Sequence, residues 1–384
     1  MVDDATSTAF GASPGPVWAS PGADPGVGPG GSPGMSGTRV TTGPFGIKEE
    51  RGTVGRDNPL HHRAPAGEAG RVPVLSLWDE TPLPSWSQLR RRLRDDPGVR
   101  ARLIAELSRH PATAGRLAGP RAYRTPTPHP SHSTWFEGSW VPDGIDVLVK
   151  INITPRERFW MATASAATTG LVPRVLASDV GLGDLDVAWL VLERLPYAYD
   201  PAWGAAGFSA LLAAAARFQV FAAGVDTPLV YDEGAGTIRH WAAGGRELCA
   251  DAGVLLRHLD ADWAWVTGVA APEVMFGDLH FGNAVFRAPP PGLTALLFDP
   301  IPRRQPWPFE PAYFEVVCGG SGLVAEMAAI RAQQGRPVGG PDEVGRLGVL
   351  YCAWMALLSW SIQPDEARRA LLAEYVTAAA RLDR

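Results

Sequence analysis

The chain has 384 residues, 46% hydrophobic and 20% charged, with a net charge of -5. That is ample for a buried core without covalent staples, and the negative balance gives no bulk attraction to nucleic acid. Cys249, Cys318 and Cys352 lie far apart with no C-x-x-C pair, which excludes a disulfide scaffold and leaves reduced, buried thiols in a cytoplasmic protein as the expectation.

Residues 1–45 hold ten Gly, seven Pro and no Leu or Ile. Such a segment buries too little apolar area to offset its ordering entropy, so residues 1–70 are expected to be a disordered tail. Two G-x-S-x-G strings in it, at 11–15 and 30–34, lack the flanking strand and helix of a nucleophile elbow. Asp3 and Asp4 stand where a signal peptide has a basic start.

Residues 71–125 read as a helical extension, in which Leu89, Leu93, Val99, Leu103, Ile104 and Leu107 form a stripe that Pro97 divides into two short helices. Residues 126–196 change character. The aromatic and β-branched runs Ser133–Trp140 and Ile145–Ile153 flank Pro142-Asp143-Gly144, which predicts a hairpin. Thr154-Pro155 then opens a helix, and Val172–Val180 with Val187–Leu195 predict a second hairpin. Residues 197–384 are mostly helical in pattern, with helices expected near 203–224, 244–266, 310–333, 341–362 and 364–381. The longest uncharged apolar stretch, Leu347–Ile362, is shorter than the about 20 residues of a membrane span. A buried helix is expected there, and no membrane association.

The polar residues with chemical meaning fall between the second and third of those helices. The segment Phe276-Gly277-Asp278-Leu279-His280-Phe281-Gly282-Asn283 is followed by Leu296-Leu297-Phe298-Asp299-Pro300. Apolar runs hold both, which places the polar residues on loops at strand ends. Phosphoryl transfer needs a carboxylate beside the attacking hydroxyl and hard oxygen ligands for Mg²⁺. An Asp, an Asn after four intervening residues and a further Asp beyond a short hairpin supply those groups. The plainer account of the same residues is a turn that caps its own backbone.

With these residues the segment resembles the catalytic loop of aminoglycoside phosphotransferases and related antibiotic kinases, the bacterial branch of the protein-kinase-like fold, over roughly residues 125–384. The resemblance implies an α+β, two-lobe protein-kinase-like fold. A small antiparallel sheet with one helix (126–196) would bind nucleotide, and a larger, mostly helical lobe (197–384) would carry catalysis and substrate. It implies ATP, or GTP, with Mg²⁺. By the resemblance Asp278 would accept the proton of a substrate hydroxyl, and Asn283 and Asp299 would hold the metal. Lys150, in the run Val147–Ile151, would grip the nucleotide phosphates; its alternative is a strand-edge lysine that blunts pairing. The chain has one other lysine, Lys48, in the tail. Glu157 has two readings, as the helix carboxylate that pairs with Lys150 and as the last member of a capping box opened by Thr154.

Two departures keep a second hypothesis open. Phe276 stands where the family has His, and no G-x-G-x-x-G covers the phosphates, for which Ser131, Ser133 and the turn near Gly138 are the available substitutes. The alternative is a catalytically degenerate, kinase-like binding protein. The string Gly277–His280 also resembles metallophosphoesterases, but a two-metal site needs further histidines and His280 is the last in the chain. No Walker A or H-E-x-x-H string occurs.

Residues 196–384 hold fourteen Arg, no Lys and twenty Asp plus Glu, a net of -6. That balance would attract a cationic, aminoglycoside-like hydroxylated acceptor, and it equally fits an ordinary acidic surface, with a hydroxylated metabolite as the alternative acceptor. Asp200, Asp232, Glu233, Asp260 and Glu310 are the candidate contacts. His280 is expected to brace the loop, with metal ligation as its alternative. Arg303 and Arg304 are expected in a solvated loop, with contact to phosphate or an acidic substrate as theirs, Trp307, Tyr313 and Phe314 in the core rather than as a stacking platform, and Glu315 to be structural. The oligomeric state is left open.

Overall fold

A computed structural model describes residues 96–382, apart from 124–132, 168–169, 186, 233–234, 237, 240–251 and 363–364. The predicted tail, the first of the two helices flanking Pro97, and Lys48, Ser131 and Glu233 lie outside the described residues.

Pro97 starts a helix. In α1 (Pro97–Arg109) it occupies the first turn, and Asp96 caps the end by accepting from the amides of Gly98 at 2.8 Å and Val99 at 3.3 Å. The five strands of the small lobe follow as β1 (Leu117–Ala122), β2 (Thr134–Trp140), β3 (Ile145–Ile153), β4 (Val175–Asp179) and β5 (Ala188–Glu193). They form one antiparallel sheet in the order β1-β2-β3-β5-β4. Strand β1 corrects the expected boundary at 126, since it pairs with β2 inside the sheet. Its sequence, Leu-Ala-Gly-Pro-Arg-Ala, has no β-branched residue. An edge strand with a register shift between Ala118 and Arg121 tolerates that composition, because a proline there forfeits no ladder bond that the sheet needs.

Lys150 lies in the central strand β3, opposite Trp135 on one side and Leu190 on the other, so it is not an edge lysine. Helix α2 (Pro155–Ala167) follows β3 directly. One face of the sheet is closed by α1, whose Leu103 and Leu107 join Phe136, Val147, Val149, Trp189 and Val191 in a small core. The other face meets the main core through Leu190, Leu192 and the α2 residues Trp160, Met161 and Ala164. Trp160 also donates from its indole to the carbonyl of Leu229 at 2.7 Å, across to the large lobe.

The large lobe contains α3 (Ala205–Ala222), α4 (Ala252–Val269), α5 (Phe309–Cys318), α6 (Leu323–Gln333), α7 (Pro341–Ile362) and α8 (Glu366–Ala379). A three-stranded sheet in the order β6-β10-β7 is built from β6 (Tyr231–Asp232), β7 (Pro272–Met275) and β10 (Arg303–Pro306). Between them β8 (Ala284–Phe286) and β9 (Ala295–Leu297) form a hairpin. The single helix expected over 310–333 is two. The chain breaks where Gly319 (φ 73°) and Gly322 (φ 72°) take left-handed conformations that end α5 and open α6. Among the described residues one helix, α3, is long and apolar enough to cross a membrane; half of it is buried, with Leu211, Leu212 and Phe218 in the core. The molecule thus has the two-lobe α+β plan expected from its sequence, with the polar loops where the lobes meet.

Candidate active site

The first group of site residues comes from β3 and α2. Thr154 Oγ1 accepts from the amide of Glu157 at 3.0 Å, while the Glu157 carboxylate takes a 2.6 Å bond from Lys150 Nζ. The Thr154 hydroxyl thus forms its half of the capping box, while the Glu157 side chain is paired with Lys150. The short step of seven residues from Lys150 is bridged by Asn152, at φ 65°, followed by the turn into the helix. Asp299 Oδ2 lies 3.0 Å from the same ammonium. Lys150 is 2% exposed at its side chain, Glu157 8% and Asp299 38%, so the triad opens to solvent at Asp299. Burial disfavours the Lys150 charge, but Asp299 and Glu157 outweigh it and hold the ammonium above the usual lysine range. Burial and the neighbouring Asp299 push the Glu157 carboxyl up from its ordinary value, and the Lys150 charge opposes them.

The second group lies on the loop after β7. Gly277 has φ 91°, and a Cβ there would fall 1.9 Å from the carbonyl oxygen of Ile301. Only glycine fits. Phe276 is wholly buried edge-on to Phe218 at 5.5 Å, and its carbonyl accepts from Ile301 N at 3.0 Å. Its ring gives the loop an apolar anchor beside that backbone bond.

Asp278 is held at both carboxylate oxygens. Tyr313 OH donates to Oδ1 at 2.7 Å, and Asn283 Nδ2 donates to Oδ2 at 3.0 Å and to the Asp278 carbonyl at 3.1 Å. His280 Nε2 is 3.6 Å from Oδ2, and its Nδ1 accepts from Gly282 N at 2.9 Å, the bracing role expected of it. Burial alone would raise the Asp278 carboxyl. The hydrogen bond and charge of His280, the Tyr313 hydroxyl and the Arg303 charge together hold it below the usual carboxylate range. Burial and the Asp278 charge push the Tyr313 hydroxyl well up, so it stays a donor.

The two groups meet through the β8–β9 hairpin. Phe298 N donates to Asn283 O at 3.0 Å, which sets Asp299 beside the Asn283 end of the loop. The donor set suits Mg²⁺. Asn283 commits its amide nitrogen to Asp278, which leaves the oxygen arm for a cation, and Asp299 offers a partly exposed carboxylate. Mg²⁺ takes one or two such protein ligands and completes its shell with phosphate and water.

The residues that support the loop from behind escaped the sequence. Tyr313 was expected only as core, and Glu310 as a contact for a cationic substrate. Glu310 is 1% exposed. Its Oε1 accepts from Gly277 N and its Oε2 from Gln219 Nε2, both at 3.0 Å. Gln219 in turn accepts from Arg331, which pairs with Glu273 at 2.7 Å. Burial pushes the Glu310 carboxyl up to about 7 against the donors from Gln219, Gly277 and Phe276. The available signal was the spacing: Glu310 and Tyr313 are three apart on an apolar helix and so share a face, here the one toward the loop.

The other acidic candidates are otherwise engaged. Asp200 caps the turn 201–203 by accepting from Ala202 N at 2.9 Å, and Asp260 pairs with Arg239. The Asp232 side chain and Glu233 lie outside the described residues. Arg303 corrects the solvated-loop expectation, since it is buried at the start of β10; Arg304 is exposed. Trp307 and Phe314 are core, and Glu315 is structural, accepting from Leu323 N at 2.8 Å and Tyr375 OH at 2.9 Å.

No protein-family model matches the chain, and no curated protein matches it in sequence. Solved structures do. A choline/ethanolamine kinase family protein from Mesorhizobium loti is 16% identical, with 74% of this chain and 94% of that one covered and a TM-score of 0.46. A thermostable mutant of the aminoglycoside phosphotransferase APH(4)-Ia in ternary complex with AMP-PNP and hygromycin B is 13% identical, with 70% and 95% covered and a TM-score of 0.44. Choline kinase from Cryptosporidium parvum is 10% identical, with 73% and 94% covered and a TM-score of 0.45.

Proposed function

We propose that the protein is a small-molecule O-phosphotransferase that moves the γ-phosphoryl of ATP or GTP to a substrate hydroxyl. The observation that carries this reading is the junction itself. A buried lysine, paired with a helix carboxylate and with Asp299, faces a loop whose ionised Asp278 is oriented by donors on both oxygens. A turn that merely capped itself would need none of the distant partners Lys150, Glu157 and Tyr313.

In the proposed reaction the acceptor oxygen attacks the γ-phosphorus, the bond from that phosphorus to the bridging oxygen breaks, and the nucleoside diphosphate leaves. The hydroxyl proton passes to the Asp278 carboxylate. A carboxylate this acidic is a weak base for an alcohol, so its work is to orient the hydroxyl and take the proton late, as a loose transition state allows. Lys150 binds phosphate oxygens, and Glu157 fixes its ammonium. A Mg²⁺ held by Asp299 and Asn283 would offset the phosphate charge. We place the protein in the cytoplasm, where the free thiols Cys318 and Cys352 stay reduced and the nucleotide is at hand.

The degenerate binding-protein reading is disfavoured by the shared geometry of Lys150, Glu157, Asp278, Asn283 and Asp299. Calorimetric titration of ATP and GTP, with and without Mg²⁺, tests the choice. Mg²⁺-dependent binding is expected. No binding under either condition would overturn the phosphotransferase reading in favour of a protein partner.

A further inference from the structure

The two carboxylates that share the Lys150 ammonium come from separate parts of the chain. Glu157 is carried by α2, and Asp299 stands in the segment between β9 and β10. One short stretch, Leu229–Tyr231, contacts both parts. On the side of the helix, the Leu229 carbonyl accepts from the Trp160 indole at 2.7 Å, and the Arg156 guanidinium carbon lies 3.5 Å from the centroid of the Tyr231 ring. Arg156 immediately precedes Glu157 on α2, and Trp160 follows it by one turn. On the other side, the Tyr231 amide donates to the Pro302 carbonyl at 2.8 Å, and β6 pairs with β10 with Tyr231 opposite Arg303. Pro302 is three residues beyond Asp299.

The stretch is itself anchored. Thr227 Oγ1 accepts from Leu229 N at 3.1 Å, and Val230 packs against the main core. Trp160 is wholly buried, with its ring 5.6 Å from that of Phe218 on α3. Tyr231 differs, being 42% exposed, so its ring adds little buried area. Its face instead holds a guanidinium by the attraction of a cation to an aromatic ring.

We propose that Leu229–Tyr231 is a strap that sets the spacing of Glu157 and Asp299, and that Tyr231 is a positioning residue for the nucleotide and metal site. An ammonium held between two carboxylates points where their spacing directs it. The strap therefore aims Lys150 and places the Asp299 carboxylate before nucleotide arrives, which lowers the ordering cost of binding. The consequence for nucleotide rests on the phosphotransferase reading, while the strap itself does not.

Tyr231→Ala removes the ring from an exposed place and leaves both backbone contacts of the strap, and Tyr231→Phe keeps the ring. AMP-PNP is titrated with Mg²⁺ into the full chain of each. The Ala variant is expected to bind about fivefold or more weakly, within the range of a cation–ring contact. The Phe variant should bind within about twofold of wild type, and the melting temperatures of both should stay close to it, as for exposed side chains. Equal binding by wild type and the Ala variant overturns the positioning role. Equal weakening in both variants does so too, since it would assign the effect to the hydroxyl.

Amide hydrogen exchange without nucleotide separates the strap from the phosphotransferase reading. In the Ala variant, exchange is expected to quicken in α2 and at the amides of Ile301 and Arg303, with α7 and α8 unchanged. Unchanged exchange in α2 overturns the strap, whatever the nucleotide does. Faster exchange in the variant of a protein that binds no AMP-PNP upholds the strap and ends the phosphotransferase reading.

Discussion

The Tyr313 hydroxyl donates a 2.7 Å hydrogen bond to Oδ1 of Asp278 from 35 residues away. That bond fixes the plane of the carboxylate while Asn283 fixes its other oxygen. A hydrogen bond to a charged group is worth about 1.5–3 kcal/mol, and about 1.4 kcal/mol is tenfold in rate. Tyr313→Phe keeps the ring and removes the donor. It should lower kcat about tenfold or more with an unchanged nucleotide KM, a split that steady-state kinetics resolves.

Asp278→Asn keeps the shape of the side chain and removes the proton acceptor. Turnover should fall by about 10²–10⁴, the usual worth of a positioned acid or base. Calorimetry should show nucleotide bound about as tightly as in wild type, because in the proposed reaction Asp278 meets the acceptor and not the nucleotide. Unchanged turnover would remove Asp278 from its role.

Lys150→Met leaves Glu157 in a buried place without its cation. Breaking a buried pair in this way costs about 3–5 kcal/mol. Adding Glu157→Leu should restore more than half of the lost stability in urea denaturation, since both charges are then gone. Neither variant should bind Mg²⁺-nucleotide with wild-type affinity. If the double variant binds normally, Lys150 does not meet the phosphates.

Gly277→Ala places a methyl group where the Ile301 carbonyl already stands, at a left-handed φ. A destabilisation of about 3 kcal/mol or more follows from the combined clash and strain, read from the denaturation midpoint. A loss below about 1 kcal/mol would mean that the loop shifts freely.

Glu310 gives a pH dependence whose sign is fixed by its burial. The carboxyl titrates at about 7 in the fold against the ordinary 4.5. The folded state therefore holds a proton that the unfolded chain releases, and the stability linked to it is full below about 4.5 and declines as pH rises through about 7. Glu310→Gln keeps an acceptor for Gly277 N and removes the titration. Between pH 5 and 8 the melting temperature of wild type should fall relative to the variant, by an amount equivalent to at most about 3 kcal/mol. Parallel curves would place the Glu310 carboxyl at its ordinary value.

Residue type and spacing singled out Asp278, Asn283 and Asp299, and a tight turn and a hairpin set their geometry over a short range. Rarity singled out Lys150, which the fold pairs with Glu157 and Asp299. The hairpin β2–β3 was legible from its aromatic and β-branched runs. Strand β1 was not, since Leu117–Ala122 owes its conformation to the strand beside it rather than to its own propensities. The break in α5–α6 was carried by Gly319 and Gly322, whose effect depends on a conformation that composition alone does not fix. Glu310, Gln219 and Arg331 were out of reach for a different reason. A buried polar chain looks like a surface one until the fold joins residues about a hundred positions apart, as for Gln219 and Arg331 at a separation of 112.

The bond from Trp160 to Leu229 and the stack of Arg156 on Tyr231 tie α2 to the large lobe at both its first and second turns. The same helix is also held by the sheet, where Trp160, Met161 and Ala164 share a core with Leu190 and Leu192 and Ser165 Oγ accepts from Val175 N at 2.8 Å. A shift of either lobe therefore bears on Glu157, which the helix carries, and through it on the Lys150 ammonium.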